Sequence, residues 1–323
     1  IAQAVSTILS KFTKATPDEA PATSEAARVD GLDEIVAKAL AQHSSVRDAS
    51  AISQVAKVSN ASTGAFDTMD EAISAAVLAQ VQYRHCSMQD RASFINGIRD
   101  VFLQEDVLCA LSRMAVEETG MGNYEDKLIK NRVAALKTPG IEDLTTSAVS
   151  GDGGLTLIEY SAFGVIGSIT PTTNPTETII NNSIGMLAAG NTVVFSPHPR
   201  SRKVSLYAVE LINNKLAQLG APANMVVTVT KPSIDNTNVL INDPRINMLV
   251  ATGGPAIVKT VMSSGKKAIG AGAGNPPAVV DETADIEKAA RDIIKGCSFD
   301  NNLPCVAEKE VIVVNQVADY LIH

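Results

Sequence analysis

The chain has 323 residues, 45% of them hydrophobic, which is enough for two domains with a sizeable core. Its net charge of −8 and its 4% aromatic content argue against a surface that binds nucleic acid or an anionic membrane. The four cysteines lack the CxxC spacing of a zinc site and the dense pattern of a disulfide framework. We therefore expect a protein of the reducing cytoplasm that holds no metal.

The first 30 residues divide into a helix and a linker. In "IAQAVSTILSKF", residues 1–12, the apolar side chains recur at helical intervals and form one stripe. Residues 13–30 are rich in Ala, Thr, Pro and acidic residues without an apolar period, which is typical of a flexible linker. The pattern favours a detachable amphipathic docking helix, and the alternative is a helix that packs on its own domain.

Residues 31–150 are predicted to be mainly helical. Thr68 with Glu71, and Ser87 with Asp90, have the spacing of capping boxes, and apolar residues at helical intervals follow each pair. The segment "EETGMGNYEDKLIKN", residues 117–131, is rich in charged side chains. On residue types alone, this segment is interpreted as a solvated helix–turn–helix surface.

From residue 151 to residue 290, short β-rich runs alternate with helix-like runs, such as "TVVFSP" followed by "RKVSLYAVELINNKLAQL". This alternation predicts an α/β fold with a Rossmann-type parallel sheet and helices on both faces. Ligands of such sheets bind beyond the carboxyl ends of the strands. The segments of interest are therefore "TPTTNPTE", "SPHPRS" and "TGGPA".

Two of these strand ends contain groups that suit an anion. At Gly253 and Gly254 the chain passes from a strand into a helix, where free backbone N–H groups favour phosphate oxygens. The alternative at this position is an ordinary tight turn that binds no phosphate. The segment "TPTTNPTE" offers hydroxyl groups and the Asn174 amide as fixed donors, which an oxyanion site needs. On sequence alone, an ordinary proline-rich turn is favoured over such a site.

Cys305 follows the rigid, polar segment "DNNLP" and precedes a strand-like run, a position that suits a presented side chain. A thiolate is a strong nucleophile, and a thioester made from it is a good acyl donor. Cys86, Cys109 and Cys297 are explained as small hydrophobic residues. A hydrolase-type pair of Cys305 with His198 is an alternative, although no pattern brings the two together.

Residues 291–323 are predicted to begin a second α/β domain, the catalytic one. The run "KEVIVV" is a single strand, and one strand cannot close a sheet. We therefore expect the chain to be the front part of a longer protein.

Four segments of the chain are informative when they are considered together: "ITPTTNPTETIINNSIGMLAAGNTVVFSPHPRS", "TGGPAIV", "AIGAGAGNPPAVVDETAD" and "SFDNNLPCVAEKEVIVV". Together they resemble the CoA-acylating aldehyde dehydrogenases of bacterial microcompartments, with the propionaldehyde branch of propanediol utilisation looking closest. The segment "EETGMGNYEDKLIKN" matches the same group. The resemblance implies an aldehyde-dehydrogenase-like fold and the NAD-dependent oxidation of propionaldehyde or acetaldehyde to its acyl-CoA.

The resemblance also implies how the reaction ends. Cys305 would attack the aldehyde, NAD would accept a hydride, and CoA would collect the acyl group. Hydrolytic relatives use a glutamate in a Glu-Leu-Gly-Gly stretch to activate water. The matching stretch around Gly270, Ala271 and Gly272 lacks a carboxylate, so the thioester can wait for CoA.

The implied site residues depart from the wider family at two points. The family's oxyanion asparagine aligns with Thr173, and Asn174 follows one residue later, so both are candidates beside the backbone N–H of Cys305. The family's ribose-binding lysine aligns with Ser196, so His198 and Arg200 become candidates for phosphate contacts, although Arg200 alternatively caps a helix. The candidate cofactor contacts are Thr170, Pro171, Thr172, Ser196, Pro197, His198, Arg200, Thr252, Gly253, Gly254, Gly270, Ala271 and Gly272.

In this family an N-terminal helix and linker direct the enzyme into the compartment. The resemblance therefore implies that residues 1–12 bind shell or core proteins, that the protein acts in the compartment lumen, and that the full-length protein is a homo-oligomer. Two alternatives stay open: a hydrolytic aldehyde dehydrogenase, and a non-catalytic microcompartment scaffold that retains the fold.

Overall fold

The computed structural model describes residues 63–323. The predicted docking helix and linker, residues 1–30, lie outside the described residues, as does the first part of the predicted helical region. The described strands are β1 (Ala65–Phe66), β2 (Ser147–Gly151), β3 (Gly154–Ile158), β4 (Val165–Thr170), β5 (Thr192–Pro197), β6 (Val226–Val229), β7 (Met248–Thr252), β8 (Lys267–Ala271), β9 (Pro277–Val280) and β10 (Glu310–Val313). The described helices are α1 (Met69–Tyr83), α2 (Met88–Phe102), α3 (Glu105–Thr119), α4 (Tyr124–Lys137), α5 (Pro175–Ala188), α6 (Arg202–Gln218), α7 (Ile234–Asn242), α8 (Pro255–Met262), α9 (Ile286–Ser298) and α10 (Asn315–Ile322).

The main sheet has six strands in the order β1-β6-β5-β4-β7-β8, and every pair in it is parallel. The predicted α/β fold with a parallel sheet is confirmed. Every residue of β4, β5 and β6 is buried, as expected for strands covered on both faces. After the edge strand β1, the chain enters the sheet at β4, adds β5 and β6 on one side, and then adds β7 and β8 on the other. The chain therefore reverses its winding direction between β4 and β7.

Helices cover both faces of this sheet. Because side chains alternate along a strand, Val193 and Phe195 of β5 pack in one core, with α2, α3, α5 and α6, while Val194 packs in the other. The start of α1 contributes to this second core, together with α7 and α8. Both cores hold the carboxyl ends of β4, β5 and β7 in a fixed register, in which Thr170 lies opposite Pro197 and Ile169 opposite Ala251.

Local sequence signals explain where α1 and α2 begin. The Thr68 and Ser87 hydroxyls accept from the backbone N–H groups of Glu71 and Asp90, whose carboxylates accept from the cap residues in return. Both predicted capping boxes are confirmed.

Two smaller sheets flank the main one. β2 and β3 form an antiparallel hairpin that is exposed along its whole length. β2 falls almost entirely in the range 31–150, where the sequence predicted mainly helix, whereas β3 falls in the predicted α/β region. β9 pairs in parallel with β10. The predicted lone strand "KEVIVV" therefore has a partner, which comes from the range 151–290 that was assigned to the cofactor-binding region. No helix among residues 63–323 has the length and apolar character needed to cross a membrane.

Candidate active site

A cavity of about 680 Å³ lies at the carboxyl ends of β4, β5 and β7, where the winding direction reverses. Parallel α/β sheets bind their ligands at this position, because the loops after two adjacent strands diverge there to opposite faces. The volume lies within the range of cofactor and small-molecule sites. Isoleucine, leucine and proline side chains form much of the lining, and backbone and hydroxyl groups supply its polar atoms.

The structure brings most of the sequence-predicted site residues to this one cavity. Those that line it are Thr170, Pro171, Thr172, Thr173, Asn174, Ser196, Pro197, His198, Thr252, Gly253, Gly254, Ala271, Gly272 and Cys305. Arg200 and Gly270 do not line it.

Arg200 contacts the preceding helical layer instead. Its guanidinium donates to the carbonyl oxygen of Thr119, the last residue of α3, at 2.8 Å. A cation at a helix C-terminus satisfies a free carbonyl and interacts favourably with the helix dipole. This contact corresponds to the alternative in which Arg200 caps a helix. Gly270 packs closely against α8, since a Cβ there would lie 2.7 Å from Cγ1 of Val258.

Cys305 is half-buried and follows a strained turn. After α9, the residues Asp300, Asn301 and Asn302 all have positive φ angles, of 47°, 55° and 59°. Asparagine and aspartate tolerate this conformation better than other residues that carry a side chain. The Asn302 amide nitrogen holds the turn in place by donating to the carbonyl oxygens of Cys297 at 2.6 Å and Glu308 at 3.0 Å.

Asn174 occupies the N-cap position of α5, but its side chain does not cap the helix. Its Oδ1 accepts from the ammonium group of Lys130, and its Nδ2 donates to Oγ1 of Thr173 at 3.1 Å. An N-cap asparagine usually accepts from the backbone N–H of the second or third helical residue. Here the ammonium group of Lys130 donates to the Asn174 oxygen in place of those backbone groups.

Behind Asn174 and Cys305 lies a cluster of four charged side chains, which we call the charge cluster: Lys127, Lys130, Glu177 and Asp300. Lys127 and Asp300 are fully buried and lie 3.0 Å apart, and Lys130 contacts Asp300 and lies 3.3 Å from Glu177. Burial lowers the pKa of Lys127, and Glu177 and Asp300 offset only part of that effect. Burial alone would also lower the pKa of Lys130, but Glu177 and Asp300 raise it, so this lysine is charged.

The interpretation of "EETGMGNYEDKLIKN" as a solvated surface is therefore wrong for its lysines. Within this segment Lys127 and Asn131 are fully buried, and the side chain of Lys130 is 11% exposed. The partners of the two lysines at residues 173–177 and 300 lie between 44 and 173 positions away along the chain, so local residue types do not reveal these contacts.

At the carboxyl end of β5, hydroxyl and imidazole groups line the cavity. The Ser196 hydroxyl lies 2.9 Å from the Thr237 hydroxyl and is buried with it. Nδ1 of His198 accepts from the backbone N–H of Arg200 at 3.1 Å, which leaves Nε2 as the remaining ring donor of the neutral imidazole. Burial, followed by the charge of Arg200, lowers the pKa of His198. His198 is therefore neutral at pH 7.

Several lining residues were not among the site residues predicted from the sequence: Ser233, Ile234, Thr237, Ile257, Ala273, Gly274, Asn302, Leu303 and Lys309. Ser233 had a detectable signal, because it follows the strand-like run "MVVTVT" and caps a helix. Lys309 had none. It reaches the cavity by donating to the carbonyl oxygen of Asn302 at 2.9 Å, across a turn whose shape the sequence does not reveal.

Comparison with known proteins identifies the family. A family model described as "Aldehyde dehydrogenase family" matches residues 36–323. The chain belongs to the aldehyde dehydrogenase family. A curated relative, the propanal dehydrogenase (CoA-propanoylating) of Citrobacter freundii, is 54% identical over 268 residues, which cover 83% of this chain and 58% of the relative.

Two solved members of this family share its fold closely. The propionaldehyde dehydrogenase of Rhodopseudomonas palustris, solved with bound CoA and an acylated cysteine, is 75% identical with a TM-score of 0.78, over 80% of this chain and 59% of that one. The propionaldehyde dehydrogenase of the Clostridium phytofermentans fucose utilisation bacterial microcompartment is 54% identical with a TM-score of 0.77, over 80% and 59%. The chain thus spans less than two thirds of the length of the relatives it matches.

Proposed function

We propose that this protein catalyses the oxidation of a short aliphatic aldehyde, propionaldehyde or acetaldehyde, to its acyl-CoA, with NAD as oxidant and a thioester on Cys305 as the intermediate. The relatives named for CoA-propanoylating activity, and the one solved with CoA and an acylated cysteine, support this proposal. So does the cavity, which Cys305 lines together with the βα turns that follow β4 and β7.

Two features of the cavity support the binding of a nucleotide cofactor. Gly254 is the N-cap of α8, and a Cβ at this position would meet no atom within 4 Å, so a pyrophosphate can approach the free N–H groups of the helix. Oγ1 of Thr170 is buried at the cavity wall and has no hydrogen-bond partner among the described residues. A buried hydroxyl in that condition is costly unless a ligand satisfies it.

The residues of the chain have separate roles in this scheme. The Cys305 thiolate adds to the carbonyl carbon of the aldehyde and forms a C–S bond, and the carbonyl oxygen becomes an oxyanion. The Asn174 amide and the backbone N–H of Cys305 are the candidate donors to that oxygen, with Thr173 beside them. When bound, NAD accepts the hydride that converts the adduct into a thioester, and CoA supplies the thiol that takes the acyl group and releases Cys305.

One observation carries the choice of CoA over water. Of the described residues that line the cavity, none is an aspartate or a glutamate, and His198 is the one imidazole. Hydrolysis of a thioester at neutral pH needs a general base within hydrogen-bond reach of the attacking water. A thiol such as that of CoA is a far stronger nucleophile and needs less help. The charge cluster lies behind the loops rather than in the lining, and its carboxylates are paired with lysines.

The test is the CoA dependence of steady-state NADH formation by the full-length protein with propionaldehyde. We expect turnover to require CoA and acyl-CoA to be the product, with a single burst of NADH when CoA is omitted. Equal turnover with and without CoA would identify a hydrolytic enzyme. Absence of both burst and turnover with aldehydes of two to four carbons would favour the scaffold alternative.

We further propose that the protein acts inside a bacterial microcompartment and that residues 1–12 bind its shell or core proteins. The Clostridium phytofermentans relative comes from such a compartment, and the apolar stripe of "IAQAVSTILSKF" suits a docking helix. Deletion of residues 1–18 should leave activity unchanged and abolish co-purification with shells. Unaltered co-purification would refute the docking role.

A further inference from the structure

We propose that Lys130 is a positioning residue that turns the Asn174 amide nitrogen into the cavity, and that Asp300 fixes Lys130 and the Cys305 loop relative to each other. The proposal rests on the proposed function, because it assigns the oxyanion donor of that same site. It decides between Thr173 and Asn174, which the sequence left open.

The first step concerns the orientation of the Asn174 amide. A lysine ammonium group carries three donors and no acceptor, so the amide atom that faces Lys130 must be the oxygen. The nitrogen is then on the other side of the amide group. One of its two hydrogens is used by Oγ1 of Thr173, at 3.1 Å, which leaves the second for a ligand in the cavity that Asn174 lines.

The second step concerns what Thr173 can do. Its hydroxyl accepts from Asn174, and its carbonyl oxygen accepts from Lys127 at 2.5 Å. The hydroxyl keeps its own hydrogen, but the lysine binds the carbonyl oxygen of Thr173 and not its hydroxyl, so that O–H is not polarised by a cation. Asn174, by contrast, has its acceptor taken by a cation, which also polarises the amide and makes its N–H groups stronger donors. The amide is therefore the better oxyanion donor of the two.

The third step concerns the link to the nucleophile. Lys130 contacts the Asp300 carboxylate, which also lies 3.0 Å from Lys127 and accepts from the backbone N–H of Asn123 at 3.1 Å. Asp300 is fully buried, and it is the first of the three residues with positive φ that lead to Cys305. One carboxylate thus connects the strained turn before the nucleophile to the lysine that orients the donor.

Buried charges need a reason to be retained, because apolar residues of similar size usually give equal or greater stability. Here two lysines and two carboxylates balance in charge, and each lysine hydrogen-bonds a backbone or amide oxygen of the loop at 173–174. A preorganised oxyanion donor must be fixed before the reaction begins. The charge cluster supplies that rigidity to two loops that come from distant parts of the chain.

The experiment is a double-mutant cycle in the full-length protein, with Lys130→Met, Asn174→Ala and both together. The measured quantity is the rate of the NADH burst with propionaldehyde before CoA is added. Loss of one oxyanion donor costs roughly 10²–10³-fold, so we expect about that loss for Asn174→Ala and roughly 10–100-fold for Lys130→Met. In the Asn174→Ala background, Lys130→Met should cause no further loss, because Lys130 acts through the amide.

A second readout separates positioning from general damage. Alkylation of Cys305 by iodoacetamide needs no oxyanion donor, so its rate at pH 9 should stay within about threefold of wild type in all three variants. Lys137→Met, an exposed lysine on the same helix, is the matched control and should change neither rate. Equal losses from Lys130→Met in both backgrounds, a wild-type burst in Lys130→Met, or parallel loss of alkylation would each overturn the inference.

Asn174→Asp keeps the inference testable if Lys130→Met does not fold. A carboxylate at position 174 would pair with Lys130, so this variant should be at least as stable to urea as Asn174→Ala while it loses the burst. If it is less stable than Asn174→Ala, Lys130 does not face this residue. Failure of the proposed function is distinct, because wild type would then give no burst, whereas the stability comparison would still report on the contact.

Discussion

Two groups of residues that line the cavity differ in the kind of contact that holds them in place. In the proposed function, the acyl side consists of Thr173, Asn174 and Cys305, and the charge cluster lies behind its loops. The proposed nucleotide side consists of Ser196, Thr252, Gly253 and Gly254, and the hydroxyl pair of Ser196 with Thr237 and apolar contacts lie behind it. The nucleotide side is made from the ends of β5 and β7, which both pair with β4, so the sheet itself sets their spacing. The acyl side joins the turn after β4 to a loop more than a hundred residues later, and only strong, directional contacts can fix that pair.

The largest effect should come from the acyl side. Cys305→Ala removes the proposed nucleophile, and NADH formation should fall by at least roughly 10⁴-fold, as for other covalent catalysts. The nucleotide side does not depend on that sulfur, so the Kd for NAD, measured by calorimetry, should change by less than about twofold. Residual turnover near the wild-type level would refute the nucleophile, and a large loss of NAD binding would contradict the separation of the two sides.

The contact between the charge cluster and the loop at 120–123 can be tested with a matched glycine pair. Gly120 and Gly122 both have positive φ, of 66° and 77°. A Cβ at Gly120 would meet no atom within 4 Å, whereas a Cβ at Gly122 would lie 2.0 Å from Oδ1 of Asp300, which its partners hold in place. Gly122→Ala should therefore lower the free energy of unfolding by about 1–3 kcal/mol more than Gly120→Ala, since a buried group must move. Urea unfolding measures both, and equal losses would show that the backbone conformation alone matters.

The nucleotide side should respond more mildly. Gly254→Ala adds a methyl group where the structure has open space, so the fold should be unaffected while the approach of a pyrophosphate is hindered. We expect the Kd for NAD to rise about tenfold, which corresponds to 1.4 kcal/mol. Gly185→Ala in α5 is the control, because a Cβ there also meets no atom within 4 Å, far from the turn after β7. Unchanged NAD binding in Gly254→Ala would remove α8 from the nucleotide site.

An exposed ion pair outside both sides gives the smallest effect. Hydrogen bonding from Arg99, at 2.7 Å, lowers the pKa of Glu142 to about 2. The stabilisation is complete above the ordinary pKa of 4.5 and is lost as the pH falls towards 2. Because the Glu142 side chain is half exposed, Glu142→Gln should cost less than about 1 kcal/mol at pH 7. The difference from wild type in urea unfolding should shrink between pH 4.5 and pH 2, and a difference that is independent of pH would contradict the assignment.

The sequence predicted those parts of the site that depend on residues close together along the chain, and it missed those that depend on residues far apart. The βα turns were predicted, because a strand followed by glycine or proline and a helix start is a local pattern, and parallel strands end at a common edge. Cys305 was singled out by its immediate neighbours. The roles of Lys127 and Lys130 were missed, since on a helix rich in charge nothing in the neighbouring residues separates a buried lysine from a solvated one.

The sequence by itself determined the starts of α1 and α2, the alternation of strands and helices, and a presented cysteine without a carboxylate in the aligned glycine-rich stretch. These features depend on interactions within a few residues or on the order of elements along the chain. The tertiary structure alone decided that β9 pairs with β10, that Arg200 turns away from the cavity towards Thr119, and that Asp300 meets two lysines 170 or more positions away. Such contacts depend on which elements the sheet places side by side, and no local preference of the chain encodes that.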